Sequence, residues 1–400
     1  MQNPKTARPT KICFVASTYP RYHEDAAVPW LREQLRRLKD RGYDVTVLAP
    51  AFKGSKDHEI DGIPVIRYRY FFAGKEDLTH DAGAPTKIRR PDYLLLTVLY
   101  IFFGTFALRG LHRRRRFDIL HIHWPFPHGL FGVAAKNSPK APMVLSFHGA
   151  ELLLARKFPF VNPVLKNFTR SAAAVTCNSS YTAKEIVKLG TCEPVILPYG
   201  SPIPEREVGP VNNDVPKILY VGRLIERKGV EYLLRAMPLI LKQKRATLTI
   251  VGNGTLLEPL KELAADLALG DVVTFRVDIS EDELAGEYGS SDVFVLPAIV
   301  DSRGDTEGLG VVLIEALSFH LPVVASGVGG IVDVIIDEKT GLLTAEKSPE
   351  ALAEALLRVL DDPKLAAELA ANGYQHVKTV FDWDKILDRT EQLYNDVLGK

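Results

Sequence analysis

Two glutamates in the stretch DTEGLGVVLIEA, Asp305 to Ala316, are the first candidates for chemistry. Glu307 and Glu315 lie eight positions apart, and the Gly-Leu-Gly step between them leads into an apolar run. On one continuous helix their α-carbons would be about 12 Å and about 80° apart. Carboxyl groups that share acid and base roles in sugar hydrolysis lie about 5–9.5 Å apart. The spacing therefore argues against an acid/base pair.

The two glycines of this stretch, Gly308 and Gly310, indicate that Glu307 lies in a loop and that a helix begins just after it. The first turn of such a helix offers backbone N–H groups and the positive end of its dipole to an anion. Glu315 would lie about one turn further into this helix. The arrangement suits a phosphate-bearing ligand held at several points, and the alternative is two solvated glutamates.

A cationic turn, VGRLIERKG, follows the apolar run KILYVG and contains Arg223, Arg227 and Lys228. Cations at the carboxyl end of a strand can hold a pyrophosphate. The next apolar run ends in VGNG, where Gly252 and Gly254 would let the backbone approach a ligand closely. Each motif alone also fits a charged or tight surface turn, but together they predict a phosphate-binding edge.

The elements that must position these residues alternate between short β-branched runs and longer amphipathic runs. KICFVAS, VPWLREQLRRLKDRG and YDVTVLAP form one strand–helix–strand unit, and the alternation restarts at KILYVGRL after a polar linker at 201–216. This pattern is typical of doubly wound parallel sheets. The sequence therefore predicts two α/β domains with ligands at the carboxyl ends of the strands, in the cleft where the domains face each other.

Composition narrows the class of protein further. A chain of 400 residues, 46% hydrophobic, has the length of about two domains. Three widely spaced cysteines fit neither a disulfide framework nor a zinc ribbon and favour a reducing cytoplasm. Basic residues outnumber acidic ones by 30 to 16 in residues 1–200, whereas acidic residues lead by 33 to 20 in residues 201–400. The basic half favours phosphorylated ligands or anionic lipid, and no nucleic-acid motif accompanies it.

The longest apolar segment, Tyr93 to Leu108, is flanked by Arg89-Arg90, by Arg109 and by the run from Arg113 to Arg116. Its sixteen residues fall short of the ~20 that span a bilayer. Two interpretations stay open: a helix buried in a large domain, or a monotopic element whose arginines meet anionic headgroups. The N-terminal apolar run KICFVAS is too short for a signal-peptide core, so no export is expected.

The motifs VGRLIERKG, VGNG, SDVFVLPA, EGLGVVLIEA, LPVVASGVGGIVDVI and GLLT, in this order and spacing, resemble the retaining glycosyltransferases of family 4. The resemblance runs from Lys11 to about Leu398. It implies the GT-B fold, with two Rossmann-like doubly wound domains facing a cleft and a C-terminal helix that crosses back to the first domain. It implies an acceptor-side domain of residues 1–203 with 382–400, and a nucleotide-sugar-binding domain of residues 204–381.

The resemblance also implies roles for single residues. Arg223 and Lys228 would bind the diphosphate of the donor, Glu315 the ribose hydroxyls, and Glu307 the sugar near its reacting carbon. The other implied site residues are Gly252, backbone at Gly308, Leu309 and Gly310, Ile279 beside the base, the active-site histidine His148 in SFHGAE, and Arg21 and Asp25 on the acceptor side. The loop that carries Arg21 and Asp25 has alanine, alanine and valine at 26–28, where the family often has glycine.

The activity implied is transfer of a hexosyl group from a nucleoside-diphosphate sugar to a sugar or lipid-linked acceptor, with retention and without metal or cofactor, in polysaccharide or glycolipid synthesis. The expected location is the cytoplasm, with peripheral attachment to the inner face of the plasma membrane if the arginine-flanked segment contacts lipid. Replacing Glu307 or Lys228 is expected to remove transfer and leave the fold intact. The alternatives are a GT-B sugar-nucleotide epimerase, which needs only the donor, and a catalytically silent GT-B binding protein.

Two further motifs could suggest a metal. His121, His123 and His128 in HIHWPFPHG have no carboxylate or thiol at a ligand spacing, so a metal site is not expected there. The string Asp382-Trp383-Asp384 has the form of a metal-binding DxD motif, but it opens a predicted helix, where capping is the favoured role.

Overall fold

The protein, seen in a computed structural model, is described over residues 8–25, 27–79, 91–137, 139–203 and 213–400. It forms two compact units. The N-terminal unit comprises Met1–Asn178, Thr182–Leu197 and Leu387–Lys400, and the C-terminal unit comprises Ser179–Tyr181 and Pro198–Ile386. Ala26, Arg89, Arg90 and residues 204–212 of the predicted linker lie outside the described residues.

The described part of the N-terminal unit contains a sheet with the order β3-β4-β2-β1-β5-β6-β7-β8. Its neighbouring strands are parallel except β3, which pairs antiparallel with β4. The strands are β1 Lys11–Val15, β2 Asp44–Pro50, β3 His58–Ile60, β4 Ile63–Tyr68, β5 Ile119–His123, β6 Met143–Phe147, β7 Ala174–Cys177 and β8 Val195–Ile196. The helices are α1 Pro29–Asp40, α2 Pro91–Arg115, α3 Pro125–Ala135, α4 Ala150–Lys157, α5 Val161–Ser171 and α6 Ser180–Val187, whose first two residues belong to the C-terminal unit.

The C-terminal unit contains an all-parallel sheet with the order β11-β10-β9-β12-β13-β14. The strands are β9 Lys217–Val221, β10 Thr247–Val251, β11 Val273–Arg276, β12 Val293–Leu296, β13 Val323–Ser326 and β14 Leu342–Thr344. The helices are α7 Val230–Leu241, α8 Leu257–Asp266, α9 Glu281–Gly289, α10 Val311–Ser318, α11 Ile331–Val334, α12 Pro349–Asp361, α13 Pro363–Val380 and α14 Trp383–Leu398. Helix α14 passes into the N-terminal unit at Leu387.

These elements confirm the predicted fold class of two doubly wound α/β sheets. The strands are short runs of buried, largely β-branched residues, as expected for parallel strands covered by helices on both faces. The run PVILPYG, which its β-branched residues predict as a strand, is extended only over Val195–Ile196, and no sequence pattern predicted the β3–β4 hairpin. Leu387, Leu393 and Tyr394 of α14 join the core cluster that covers one face of β1 and β2.

Both sheets change winding direction beside their first strand. In the C-terminal unit β10 lies on one side of β9 and β12 on the other, and in the N-terminal unit β2 and β5 flank β1 in the same way. Ligands of open α/β sheets bind outside the carboxyl ends of the strands at such a switch point. The loops that follow β9, β10 and β12 in one unit, and β1, β2 and β5 in the other, are therefore the ones that these switch points position for function.

Helix α2 corrects the prediction made for the apolar segment. The helix continues past Leu108 to Arg115, and its part from Tyr93 to Arg115 is long and apolar enough to cross a membrane by length and composition. Neither sequence interpretation described it fully, because one side packs in the core while Phe102 and Phe106 on another side are more than half exposed.

Candidate functional site

The C-terminal unit brings Glu307 together with two cations of the turn after β9. The Lys228 ammonium lies 2.6 Å from the Glu307 carboxylate, and the Arg227 guanidinium lies 3.0 Å from the same oxygen. Arg227 also donates to the Thr306 carbonyl at 3.2 Å. Lys228 and Glu307 are both buried, so this is an ion-pair cluster largely removed from water.

Burial and charge oppose each other at this cluster. Burial alone would raise the pKa of Glu307, but the charges of Lys228 and Arg227, with a hydrogen bond from Lys228, lower it to about 2. Burial lowers the pKa of Lys228, and the Glu307 charge partly offsets that effect. Glu307 is therefore ionised at neutral pH and holds two cations at the switch point of the sheet.

The loop that carries Glu307 packs against the backbone of the segment GVGG, Gly327 to Gly330. The N–H of Gly330 donates to the Glu307 carbonyl at 2.9 Å. A Cβ on Gly329 would overlap the Glu307 carbonyl oxygen, and one on Gly330 would overlap the carbonyl oxygen of Gly308. Both positions therefore require glycine, because the backbone of GVGG touches the backbone of the Glu307 loop at these two residues. This contact fixes the position of the Glu307 loop.

Helix α10 begins at Val311, directly after Gly310, so Glu307 lies in a loop as predicted. Glu315 lies in this helix and is buried, and its carboxylate accepts a hydrogen bond of 2.6 Å from the Tyr288 hydroxyl. Burial raises the pKa of Glu315 to about 7, against the lowering effects of that hydrogen bond and of Lys228. The two glutamates of the motif therefore differ in charge: Glu307 is ionised at all neutral pH values, whereas Glu315 titrates near pH 7.

This difference predicts a pH-dependent stability. The pKa of Glu315 rises on folding from 4.5 to about 7, so its ionisation opposes folding increasingly as pH rises through that window. We expect Glu315→Gln to stabilise the ligand-free protein on the order of 2–3 kcal/mol at pH 8 and to have little effect at pH 4.5. Urea unfolding at the two pH values measures this, with exposed Glu258→Gln as the control. An equal effect at both pH values would contradict the assignment.

Other predicted donor-site residues lie around the same strand ends. Arg223 follows β9, and its charge contributes to the low pKa of Glu307. Ile279 lies between β11 and α9 and is half-buried. Gly252 follows β10, where a Cβ would overlap the Gly222 carbonyl oxygen. Contact between neighbouring loops therefore already requires glycine at position 252, and its approach to a ligand stays a prediction.

Sequence reasoning missed two partners in this unit. The motif VGRLIERKG predicted Arg227 as one of three pyrophosphate-binding cations, but no local pattern predicted its ion pair with Glu307, 80 positions away. Tyr288 was not noted, because no local pattern links it to Glu315, 27 positions away. The charge of Arg227 in VGRLIERKG was the available signal for its ion pair with Glu307. No sequence pattern indicated the hydrogen bond from Tyr288 to Glu315.

The N-terminal unit positions His148 directly after β6, beside a group of aromatic rings. Its Nε2 lies 3.0 Å from Nδ1 of His123, and the two imidazole rings are stacked with centroids 5.1 Å apart. The rings of Trp124 and Trp30 lie 4.5 and 5.0 Å from it. Burial among these rings lowers the pKa of His148 well below its ordinary value, so the side chain is neutral at pH 7.

Glu151 supports this histidine from the start of α4. Its carboxylate is buried and faces the backbone N–H of His148 at 3.3 to 3.4 Å. Burial raises the pKa of Glu151 to about 7, against the lowering effect of these backbone contacts. His123 and Glu151 are thus the positioning residues of His148 that the sequence patterns did not identify.

The two acceptor-side candidates lie in the loop between β1 and α1. Arg21 and Asp25 form an ion pair of 2.6 Å, and the Asp25 carboxylate also accepts from the backbone N–H groups of Arg21 and Ala27. Burial would raise the pKa of Asp25, but hydrogen bonds and charge from Arg21 lower it below its ordinary value. Val28 adopts the left-handed conformation, at φ 46°, that glycine would adopt without strain.

The motifs considered for metal have other contacts. His121 is hydrogen-bonded to Tyr394 and Ser146, and His128 to Tyr100 and backbone carbonyls. Asp382 accepts from the backbone N–H groups of residues 384 and 385 at the start of α14, so the predicted capping role is confirmed.

Comparison with known proteins gives matches along most of the chain. Residues 29–200 match the family model described as Glycosyltransferase Family 4, and residues 203–376 match the model described as Glycosyl transferases group 1. A GDP-mannose-dependent alpha-(1-6)-phosphatidylinositol monomannoside mannosyltransferase of Mycobacterium tuberculosis is 30% identical over 365 residues, which cover 88% of this chain and 89% of that protein.

Two solved structures are similar in fold. A sucrose-phosphate synthase from Thermosynechococcus elongatus superposes with a TM-score of 0.77 at 21% identity, covering 98% of this chain and 99% of its own. The Anabaena protein HepE, in complex with UDP-glucose, superposes with a TM-score of 0.70 at 17% identity, covering 96% of this chain and 99% of its own.

Proposed function

Because this chain belongs to glycosyltransferase family 4 and has the GT-B type of fold, we propose that it transfers a hexosyl group from a nucleoside-diphosphate sugar to a sugar or lipid-linked acceptor. We place this reaction in the cytoplasm, in the synthesis of cell-surface polysaccharide or glycolipid. The transfer retains the anomeric configuration and uses no metal or cofactor.

The observation that carries the proposal is the buried cation cluster at the switch point of the C-terminal sheet. Departure of the sugar from a nucleoside diphosphate builds negative charge on the leaving phosphate. Lys228 and Arg227, held in place by Glu307, are oriented before a ligand arrives, and Arg223 follows the same strand. Charges fixed in advance in a water-poor site stabilise such a leaving group strongly. These cations supply the charge that a metal ion would otherwise provide.

In this proposal the two glutamates contact different parts of the donor. Glu315, buried beside Tyr288, would accept hydrogen bonds from the ribose hydroxyls, which an ionised carboxylate does best. Glu307 keeps its negative charge beside the cations and would stabilise the positive charge that develops on the sugar ring. The start of α10 between them offers backbone N–H groups to the donor.

His148 of the N-terminal unit is the active-site histidine that the family resemblance implies. Its neutral imidazole can donate or accept a hydrogen bond to a sugar hydroxyl, and the tryptophan rings beside it suit the apolar face of a sugar. Arg21 and Asp25 would lie on the acceptor side. The mycobacterial relative is named for GDP-mannose and a phosphatidylinositol mannoside, so these are the first donor and acceptor to test.

A ligand screen followed by a transfer assay tests the proposal. We expect one of GDP-mannose, GDP-glucose, UDP-glucose and UDP-N-acetylglucosamine to raise the melting temperature most, because at equal concentration the donor that binds most tightly stabilises the folded state most. With that donor, transfer to a phosphatidylinositol mannoside or a glycan should continue in EDTA, and NMR of the product should show the anomeric configuration of the donor.

The same assay separates the alternatives. A new sugar nucleotide formed from donor alone would identify an epimerase, and donor binding without product over a broad acceptor panel would identify a silent binding protein. Inversion at the anomeric carbon would contradict the proposed stereochemistry, and loss of transfer in EDTA with rescue by a divalent cation would contradict metal independence.

A further inference from the structure

Within the described part of the N-terminal unit, the exposed side of α2 carries a group of apolar side chains. Six apolar residues on it are between 42% and 59% exposed, namely Leu94, Leu95, Val98, Phe102, Phe103 and Phe106. At about 100° per residue they occupy one half of the helix circumference, over about 18 Å of its length. We call these six residues the apolar stripe. Exposed apolar surface of this extent marks an interaction site more often than a solvent-facing helix.

The opposite half of α2 is part of the hydrophobic core. Leu96, Tyr100, Leu108 and Leu111 are buried there. The Tyr100 hydroxyl is hydrogen-bonded to His128 at 2.7 Å, and a Cβ on Gly104 would overlap the ring of Phe131 in α3. The helix is therefore anchored in the unit on one side and exposes the apolar stripe on the other.

The apolar stripe continues into positive charge. Arg109 and Arg113 lie within the same half of the helix, at about 60° and about 100° from Leu94. Arg113, Arg114, Arg115 and Arg116 are all exposed, and Arg115 also donates a hydrogen bond to the Thr46 hydroxyl at 2.9 Å. The sequence contains no Asp or Glu between Tyr93 and Phe117. A partner of this surface must therefore accept apolar side chains and supply negative charge next to them.

We propose that the apolar stripe and the arginines at the end of α2 dock this protein onto the surface of an anionic lipid bilayer. Phenylalanine and leucine enter the boundary between headgroups and acyl chains, while the arginines meet the anionic headgroups. A second copy of the chain is a poorer match, because residues 1–200 carry 30 basic and 16 acidic residues and would repel their own kind.

Docking at the surface also fits the structure better than crossing the membrane. Although α2 from Tyr93 to Arg115 has the length and composition of a span, crossing would withdraw its buried half from the core. It would also break the Tyr100–His128 hydrogen bond and the close contact of Gly104 with Phe131. Docking through the apolar stripe keeps all of these contacts.

Vesicle flotation tests the proposal without reference to the transfer reaction. We expect the full chain to float with phosphatidylcholine vesicles that contain phosphatidylglycerol, and far less with phosphatidylcholine alone. Phe102→Ser with Phe106→Ser should weaken binding about tenfold or more, since both apolar and electrostatic parts contribute to such docking. Arg113→Gln with Arg114→Gln and Arg116→Gln should remove the preference for anionic vesicles and the sensitivity to salt.

Matched controls isolate the surface. Val332→Ser with Ile336→Ser removes two exposed apolar residues of the C-terminal unit, and Lys184→Gln with Arg170→Gln removes two exposed charges of other helices. Both controls should bind like the unaltered chain. Circular dichroism and the melting temperature show whether each variant is folded, and a Phe103→Ser single variant gives a milder test if the double variant is unstable.

The position of the helix in the bilayer is measured with Phe102→Trp and brominated lipids. Quenching near the headgroup boundary is expected, and quenching at the bilayer centre, or resistance to alkaline extraction, would overturn surface docking in favour of a span.

Equal vesicle binding of the unaltered chain and of the serine variant, Phe102→Ser with Phe106→Ser, would overturn the proposal. Self-association without lipid that the serine variant abolishes would also overturn it. Transfer to a water-soluble acceptor should persist in the serine variant, so failure of docking and failure of the proposed activity remain distinguishable.

Discussion

Replacement of Glu307 by glutamine is expected to lower the rate of sugar transfer about 10²- to 10³-fold, because the site loses a fixed negative charge beside the developing sugar cation. It should also lower stability, since Lys228 is buried and pairs with this carboxylate at 2.6 Å. Removing one partner of a buried pair costs about 3–5 kcal/mol. This differs from the sequence-based expectation that the fold would be unaffected, because burial of the pair was not visible in the sequence.

The transfer rate and urea unfolding separate the two effects. The pKa of Glu307 falls from 4.5 to about 2 on folding, so its contribution to stability is present above pH 4.5 and is lost as pH falls toward 2. The stability difference between the unaltered chain and Glu307→Gln should shrink over that window. Glu258→Gln, which removes one end of an exposed pair with Lys261, should change stability by less than about 1 kcal/mol. Unchanged turnover in folded Glu307→Gln would refute the site.

Replacement of His148 by alanine is expected to lower transfer about 10²- to 10³-fold, the range for loss of one positioned hydrogen-bonding group at a transition state. Affinity for the donor should change by less than about threefold, because the cations proposed to hold its diphosphate lie in the other unit. Burial keeps the pKa of His148 well below 6.5, so the rate of the unaltered enzyme should show no inflection from this group between pH 6 and 8. Initial rates across that pH range and donor titration by calorimetry are the measurements.

His320→Ala is the matched control for this experiment. His320 is an exposed histidine of the C-terminal unit that stacks on Tyr374 with ring centroids 4.0 Å apart. It should retain the transfer rate of the unaltered enzyme. A folded His148→Ala protein with the rate of the His320 control, or an inflection near pH 6.5 that His148→Ala abolishes, would contradict a neutral catalytic histidine.

Local sequence patterns were sufficient to predict the strands and the helix start that position the candidate site. Alternating apolar runs predicted the parallel strands, and glycines at 308 and 310 predicted the start of α10 after Glu307. Such predictions succeed because strands, helix starts and turns depend on neighbours a few positions apart. The extent of the strand in PVILPYG and the presence of the β3–β4 hairpin were not predicted, since β8 and β3 are short edge strands with one partner each and their patterns are correspondingly weak.

Contacts between distant positions were decided by the tertiary structure. The pairing of Glu307 with Arg227, the hydrogen bond from Tyr288 to Glu315 and the stacking of His123 on His148 join residues that no local period connects. These contacts set the charge of each group. At Glu307 the neighbouring cations outweigh burial and lower the pKa, whereas at Glu315 burial outweighs its partners and raises the pKa.

The sequence by itself therefore determined the fold class, the family resemblance and the chemical types at the candidate site. Only the tertiary structure decided which glutamate stays ionised and which side of α2 remains exposed. The sequence of a helix that is apolar on all sides has no hydrophobic periodicity that identifies its buried side. The core contacts of Tyr100 and Leu108 therefore decide that Phe102 and Phe106 are exposed to solvent.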